Sequence, residues 1–286
     1  MPDATDARRM RLLEILQGQP EGLSLEECAD ALQVDPRSVR RDVAYLQDLL
    51  AGISGVALRN GRVAPLTQGR PAGYFTRHLG ANADAKQAIA AYAARLLGSD
   101  PAVAVTAGST AYHTAREIRR RYIEEGEPAG LIVFTNSLPV LEDMTAAGIS
   151  VGVLGEIYNA DDCAFHSHEM RSEFQATAAI IGASGVAMDT VGGGLQLFCH
   201  RAEEAAFLKQ LLAPAPEWII VADSSKVGRR HPWCFAGKPA MAGKTVHLVS
   251  HGLNAEQREQ LQAAAAGAAA WGCRLVWTDT ADLRVA

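Results

Sequence analysis

Lysine is missing from the first 85 residues; the first to appear is Lys86. The positive charge of residues 1–66 is all arginine: Arg8, Arg9, Arg11, Arg37, Arg40, Arg41, Arg59 and Arg62. Arginine stays charged at any pH and meets phosphate or guanine with a planar fork, which lysine cannot do. Cysteine is also sparse. Cys28, Cys163, Cys199, Cys234 and Cys273 are odd in number and scattered, with no Cys-x-x-Cys. That excludes a disulfide framework and a zinc ribbon, and fits reduced thiols in a cytosolic protein. No apolar run can span a bilayer; the alanine-rich stretch 263–270 is short and broken by Gly267. The opening MPDATDARRMRLLEIL has no apolar signal core. A cytoplasmic protein with no membrane partner is expected. Neither sign of charge dominates. A net charge of −5 over 286 residues argues against wholesale coating of nucleic acid, but it allows a local basic face.

What is present divides in two. Residues 1–66 read as short helices followed by a hairpin. In RMRLLEILQ, Met10, Leu12, Leu13 and Leu16 recur at helical spacing. LSLEECADALQ opens with Ser24 and has Glu27 three residues later, a capping-box signature, with Leu25, Cys28, Ala29 and Leu32 on its inner face. Asp35 then caps a further helix with Pro36 at its first position. In that helix Val39, Val43, Leu46 and Leu50 face inward, while Arg37, Arg40 and Arg41 share the opposite face. Asp42, beside them, suits an ion pair within the domain. ISGVALRNGRVAPL reads as two strands around Asn60-Gly61.

An arginine triplet also suits a merely solvated helix face. Two capped helices joined by a short turn, with a hairpin beyond, favour a winged helix-turn-helix whose second helix enters the major groove. Its expected contacts to double-stranded operator DNA are Arg37, Ser38, Arg40 and Arg41, with Arg59 and Arg62 on the wing. Residues 67–84 are rich in Gly and Pro and read as a linker.

From residue 85 to 286 the texture alternates. AVAVT, LIVFT, ISVGV, TAAII, WIIVA, TVHLV and RLVWT read as strands, with helical runs such as AYHTAREIRRRYIEE and AEEAAFLKQLL between them. The fold class is α/β, with a mostly parallel sheet covered by helices. Ligands of such sheets bind at the carboxyl ends of strands. Four strands end in small polar loops: Gly108-Ser109-Thr110, Thr135-Asn136-Ser137, Gly182-Ala183-Ser184 and Asp223-Ser224-Ser225-Lys226. Backbone N–H groups and a helix start suit an anion there, and Lys226 suits a phosphate or carboxylate. His166 and His168 near Cys163 lack the spacing of a zinc site, so no metal and no cofactor are expected.

The segment LLEILQGQPEGLSLEECADALQVDPRSVRRDVAYLQ resembles the N-terminal domain of DeoR-type bacterial transcriptional regulators, and the four loops resemble that family's effector-sensing domain. The resemblance spans nearly the whole chain. It implies a DNA-binding regulator, expected to be a repressor and not an enzyme, controlled by a phosphorylated sugar or related metabolite. It also implies a homo-oligomer, dimer or tetramer, and a sensing domain similar in fold to ribose-phosphate isomerases. The effector residues it implies are Gly108, Ser109, Thr110, Thr135, Asn136, Ser137, Gly182, Ser184, Lys209, Asp223 and Lys226. Three positions depart from the family's pattern. Thr106 replaces an aspartate, Gly155-Glu156 replaces Gly-Gly, and Gly194-Leu195-Gln196 stands behind a triple glycine, 192–194, where the family has Gly-Leu-Thr. These departures point to an atypical effector, with Glu156 a candidate replacement carboxylate. The alternative is a sugar-phosphate isomerase-like enzyme carrying an extra domain. It needs a general base at the same rim, for which Asp223 and Glu156 are the candidates.

Overall fold

Ser24 and Glu27 start a helix by bonding to each other. In the computed structural model the Glu27 amide donates to Ser24 Oγ at 3.0 Å, and the Ser24 amide donates to Glu27 Oε2 at 2.6 Å. The structure describes residues 4–17, 19, 22–49, 56–59, 61–65, 74–99, 101–167, 174–189 and 193–283. Leu50, Asn60, residues 67–73 of the expected linker, His168, Gly192 and the side chains of Met10 and Arg59 lie outside that description. The chain divides into two compact units, one of Met1–Ala83 with Ala160–Cys163, the other of Asp84–Asn159 with Ala164–Ala286.

The first unit runs α1 (Ala4–Gln17), β1 (Leu23–Ser24), α2 (Leu25–Leu32), α3 (Pro36–Leu49), β2 (Val56–Arg59), β3 (Arg62–Pro65) and α4 (Tyr74–Leu79). Asp35 Oδ1 accepts the Arg37 amide at 2.7 Å, which fixes the start of α3. Leu12, Leu13, Leu16, Cys28, Ala29, Val39, Val43 and Leu46 are buried, as their spacing predicts; Leu32 is half-buried. The hairpin pairs Arg59 with Arg62 across its turn, and β3 also pairs with β1. Within the expected linker, residues 74–79 are helical, because Phe75 and Leu79 bury themselves.

Asp42 is 1% exposed and receives two arginines. Arg8 reaches it through Nε at 2.5 Å and Nη2 at 3.0 Å, and Arg9 through Nε at 3.1 Å. Removing one partner strands charges already taken out of water. Asp42→Ala is therefore expected to destabilise the N-terminal unit by about 2 kcal/mol, discounted for the partial exposure of the arginines. An unchanged urea-unfolding midpoint would show that the pair contributes nothing.

The second unit holds α5 (Ala83–Ala93), β4 (Ala102–Val105), α6 (Ser109–Glu125), β5 (Ile132–Thr135), α7 (Leu138–Ala146), β6 (Ser150–Val153), β7 (Ile157–Asn159) and β8 (Ala164–His166). It continues with β9 (Ala178–Gly182), β10 (Gly185–Met188), β11 (Leu195–Cys199), α8 (Ala202–Leu212), β12 (Glu217–Val221) and β13 (Trp233–Ala236). It closes with α9 (Lys238–Met241), β14 (Thr245–Ser250), α10 (Ala255–Ala269) and β15 (Arg274–Asp279). Seven strands, those read from the apolar runs, form one sheet in the order β15-β14-β12-β9-β4-β5-β6. Every pair in it is parallel. Ile180, Ile181, Ile219, Ile220, Val246 and Leu248 are fully buried, as sheets covered on both faces require.

The chain starts this sheet at β4, builds outward through β5 and β6, then returns to the other side of β4 with β9. The strand order reverses between β4 and β9, the point at which such sheets bind ligands in a crevice at their carboxyl ends. The other strands are antiparallel additions: β10-β11-β13 and the β7-β8 hairpin. No helix among the described residues is long and apolar enough to cross a membrane.

Candidate DNA-recognition helix and effector crevice

On α3 the residues at i, i+3 and i+4 separate from the core stripe. Arg37, Arg40 and Arg41 are exposed, and Ser38 is half-buried and accepts from Arg41 Nη2 at 3.3 Å. The triplet thus presents three guanidinium groups on one face while Val39 and Val43 anchor the other. Arg62 is less free than expected. Its Nη2 donates to Gly22 O at 2.6 Å and lies 3.8 Å from Glu27, so it fastens the hairpin to the turn before β1.

The four polar loops follow β4, β5, β9 and β12, which are neighbours in the order β12-β9-β4-β5. The parallel register brings all four to one edge, as expected. At the reversal point, the Thr106 amide donates to Ile180 O at 3.0 Å, and Thr106 Oγ1 accepts the Gly182 amide at 2.9 Å. Thr106 is fully buried and ties the first loop to the third. Its hydroxyl performs a supporting role for which no carboxylate is needed. Gly108, at φ 135°, caps α6, and a Cβ there would meet Gly182 Cα at 3.8 Å, so the two loops approach almost backbone to backbone.

Three side chains of the expected effector set are engaged by the scaffold. Thr135 Oγ1 donates to Val105 O at 2.7 Å and accepts the Ser137 amide at 3.0 Å. Asn136 Oδ1 accepts the Ala107 amide at 2.8 Å, and its Nδ2 donates to Phe165 O at 3.1 Å. Both side chains lock the first and second loops together. Asp223 is buried and accepts from the Ser225 amide at 3.1 Å and from the Ser225 hydroxyl, organising its own loop. The hydroxyls that remain are different. Ser109 Oγ and Ser137 Oγ are buried and have no hydrogen-bond partner. Ser109 begins α6, where the dipole and the first amides favour an anion. Ser250, the last residue of β14, carries a third unpartnered buried hydroxyl at the same edge of the sheet. Its context, HLVSHG, has no loop signature, so sequence reasoning passes it over.

Lys209 is not brought to this edge. It is exposed in the last turn of α8, whose carboxyl end leads into the start of β12 at the opposite end of that strand. Glu156 is exposed at the foot of the β7-β8 hairpin. Of the glycine run, Gly193 and Gly194 serve packing. Cβ atoms at Gly193 and Gly194 would fall 2.8 Å from Gly267 Cα and 2.6 Å from the Trp271 ring, so the β10-β11 turn packs against α10. Among the described residues no group of His, Cys, Asp and Glu could hold a metal.

Known proteins match both units. The model of an HTH domain matches residues 8–61, and that of the DeoR C terminal sensor domain matches residues 81–240, more than half of the chain. The HTH-type transcriptional regulator UlaR of Escherichia coli strain SMS-3-5 is 27% identical over 236 residues, covering 81% of this chain and 87% of that protein. Its Shigella flexneri counterpart matches with the same identity and coverage. Among solved structures, ribose 5-phosphate isomerase A of Methanocaldococcus jannaschii aligns with a TM-score of 0.39 and 20% identity, over 51% of this chain and 55% of that one. The two matched models lie in the order in which the recognition helix and the crevice occur, and the chain belongs to the DeoR family.

Proposed function

We propose that this DNA-binding transcription regulator senses a phosphorylated sugar or related metabolite in the crevice between β4 and β9, and that the metabolite alters its hold on operator DNA. In this reading residues 1–66 bind DNA, residues 85–286 sense the effector, and the regulator acts as a repressor. It works in the cytoplasm as a homo-oligomer with two-fold symmetry, matched to repeated operator sites. The observation that carries the reading is the pair of buried, unpartnered hydroxyls of Ser109, at the amino end of α6, and Ser137, at that of α7. Buried hydroxyls without partners cost stability, and a ligand that accepts from them recovers it. The isomerase-like alternative needs a base at this rim, and its two candidates are otherwise placed: Asp223 holds Ser225, and Glu156 is exposed. We therefore assign the chain no catalytic role.

The test is a binding titration on the DNA upstream of the protein's own gene, with and without a panel of sugar phosphates. Tight, salt-sensitive binding that one phosphate weakens or strengthens is the expected result. DNA binding indifferent to every phosphate in the panel would count against the sensor assignment. An isomerase rate with any of them would favour the enzyme.

A further inference from the structure

The loop after β12 carries more charge than a phosphate anchor needs. Past Lys226 it continues through Arg229 to His231, and it is stitched to β10. The Val186 amide donates to Lys226 O at 3.0 Å, and the Gly228 amide donates to Val186 O at 2.7 Å. Gly185 makes this approach possible: a Cβ there would fall 2.5 Å from Arg229 O and 2.9 Å from His231 Cδ2. The same loop thereby sits against Ser184 of the third polar loop, whose carbonyl accepts a hydrogen bond from His231. From the end of β11, His200 meets His231 edge-on, with ring centroids 4.2 Å apart.

The groups facing one another here are Lys226, Arg229, Arg201, His200 and His231, opposed by Asp223 and Glu204. Lys226 and two arginines thus face two carboxylates, and two histidines add positive charge whenever they protonate. Burial pushes the Lys226 ammonium below its ordinary range; Asp223 opposes this and Arg229 adds to it. Burial also lowers His200, helped by His231, Lys226 and Arg201. For His231 burial again leads, the Ser184 carbonyl opposes it, and Lys226 and Arg229 reinforce it. A concentration of cations that discourage one another's charge is a site an anion would relieve.

We propose that Lys226, Arg229, His200 and His231 form a second anion subsite, and that the effector is acidic at both ends. Its phosphate sits at Gly108–Thr110, and a second acidic group sits at this loop. The inference rests on the reading of the β4–β9 crevice as the effector site. β12 lies two strands from β4, so the ends of these strands, from which both loops spring, are about 10 Å apart, a span that an extended five- or six-carbon chain bridges. A bound anion raises the two histidines from their depressed free-state range. Binding therefore takes up protons, is strongest below the depressed free-state range and is lost as pH rises through the bound-state range.

The test is calorimetry on the full-length protein with two matched probes, 6-phosphogluconate and glucitol 6-phosphate, which differ only in a terminal carboxylate. The carboxylate probe is expected to bind about tenfold more tightly at pH 6, with less advantage at pH 8. Arg229→Ala with His231→Gln is expected to erase the advantage and leave the affinity for glucitol 6-phosphate in place. Equal affinities in the wild type, or an advantage that survives the double substitution, would overturn the proposal. Should neither probe bind, the crevice reading fails for these sugars, and the subsite is decided by NMR of the histidine rings. Millimolar orthophosphate is expected to shift the signals of His200 and His231, identified with H200Q and H231Q. Unshifted rings would overturn the subsite by themselves.

Discussion

Replacing Arg40 and Arg41 together by alanine lowers operator affinity about 100-fold, since each guanidinium at a base or phosphate contributes ~1–3 kcal/mol. Where the two contact phosphates, the slope of log affinity against log salt also falls by about two. The fold is untouched, because neither arginine holds the core. Val39, Val43 and Leu46 do, and the only side-chain bond of Arg41 recorded among the described residues is to Ser38 within the same helix. Gel-shift titrations across a salt series, beside urea unfolding, check both halves. Unchanged affinity would refute α3 as the recognition helix. Arg62→Ala is a useful contrast. That guanidinium is fastened to Gly22 O, so its loss disturbs the hairpin more than the DNA contact.

Ser109→Ala combined with Ser137→Ala weakens effector binding by about 100-fold or more, as expected for two lost hydrogen bonds to a charged group. It leaves the effector-free protein as stable as before, or more stable by ~1 kcal/mol, because two buried and unsatisfied hydroxyls are gone. The opposite signs make this informative. Structural hydroxyls, when removed, lower stability; ligand-waiting hydroxyls lower only affinity. Calorimetry with the effector and urea unfolding without it give the two readings. A destabilised protein with unaltered affinity would make these serines scaffold.

The parallel sheet was legible in the sequence because its central strands β9 and β12 are buried on both faces and therefore read as unbroken apolar runs, TAAII and WIIVA. The antiparallel additions were not. GVAM, LQLFC and WCFA are short and mixed, and β11 finds β13 only after α8 and β12 have intervened. The capping box of α2 and the Asp35 cap were readable because capping is local chemistry. At the crevice, residue type pointed to the right edge but could not separate scaffold from ligand contact. Thr135 and Asn136 look as available as Ser109 and Ser137 until their partners at Val105, Ala107 and Phe165 are known, and those partners belong to other strands. Lys209 was the reverse case. Its helix phase sets it apart from the neighbouring buried Leu208, a signal the resemblance overrode.

The arginine-only composition of the first unit has a chemical consequence. Acyl donors neutralise lysine amines, and no lysine precedes Lys86. The positive charge of α3 is therefore beyond the reach of lysine acetylation. On the proposed reading, control falls to geometry: an effector acts by altering where the arginine faces point, since acetylation cannot tune them.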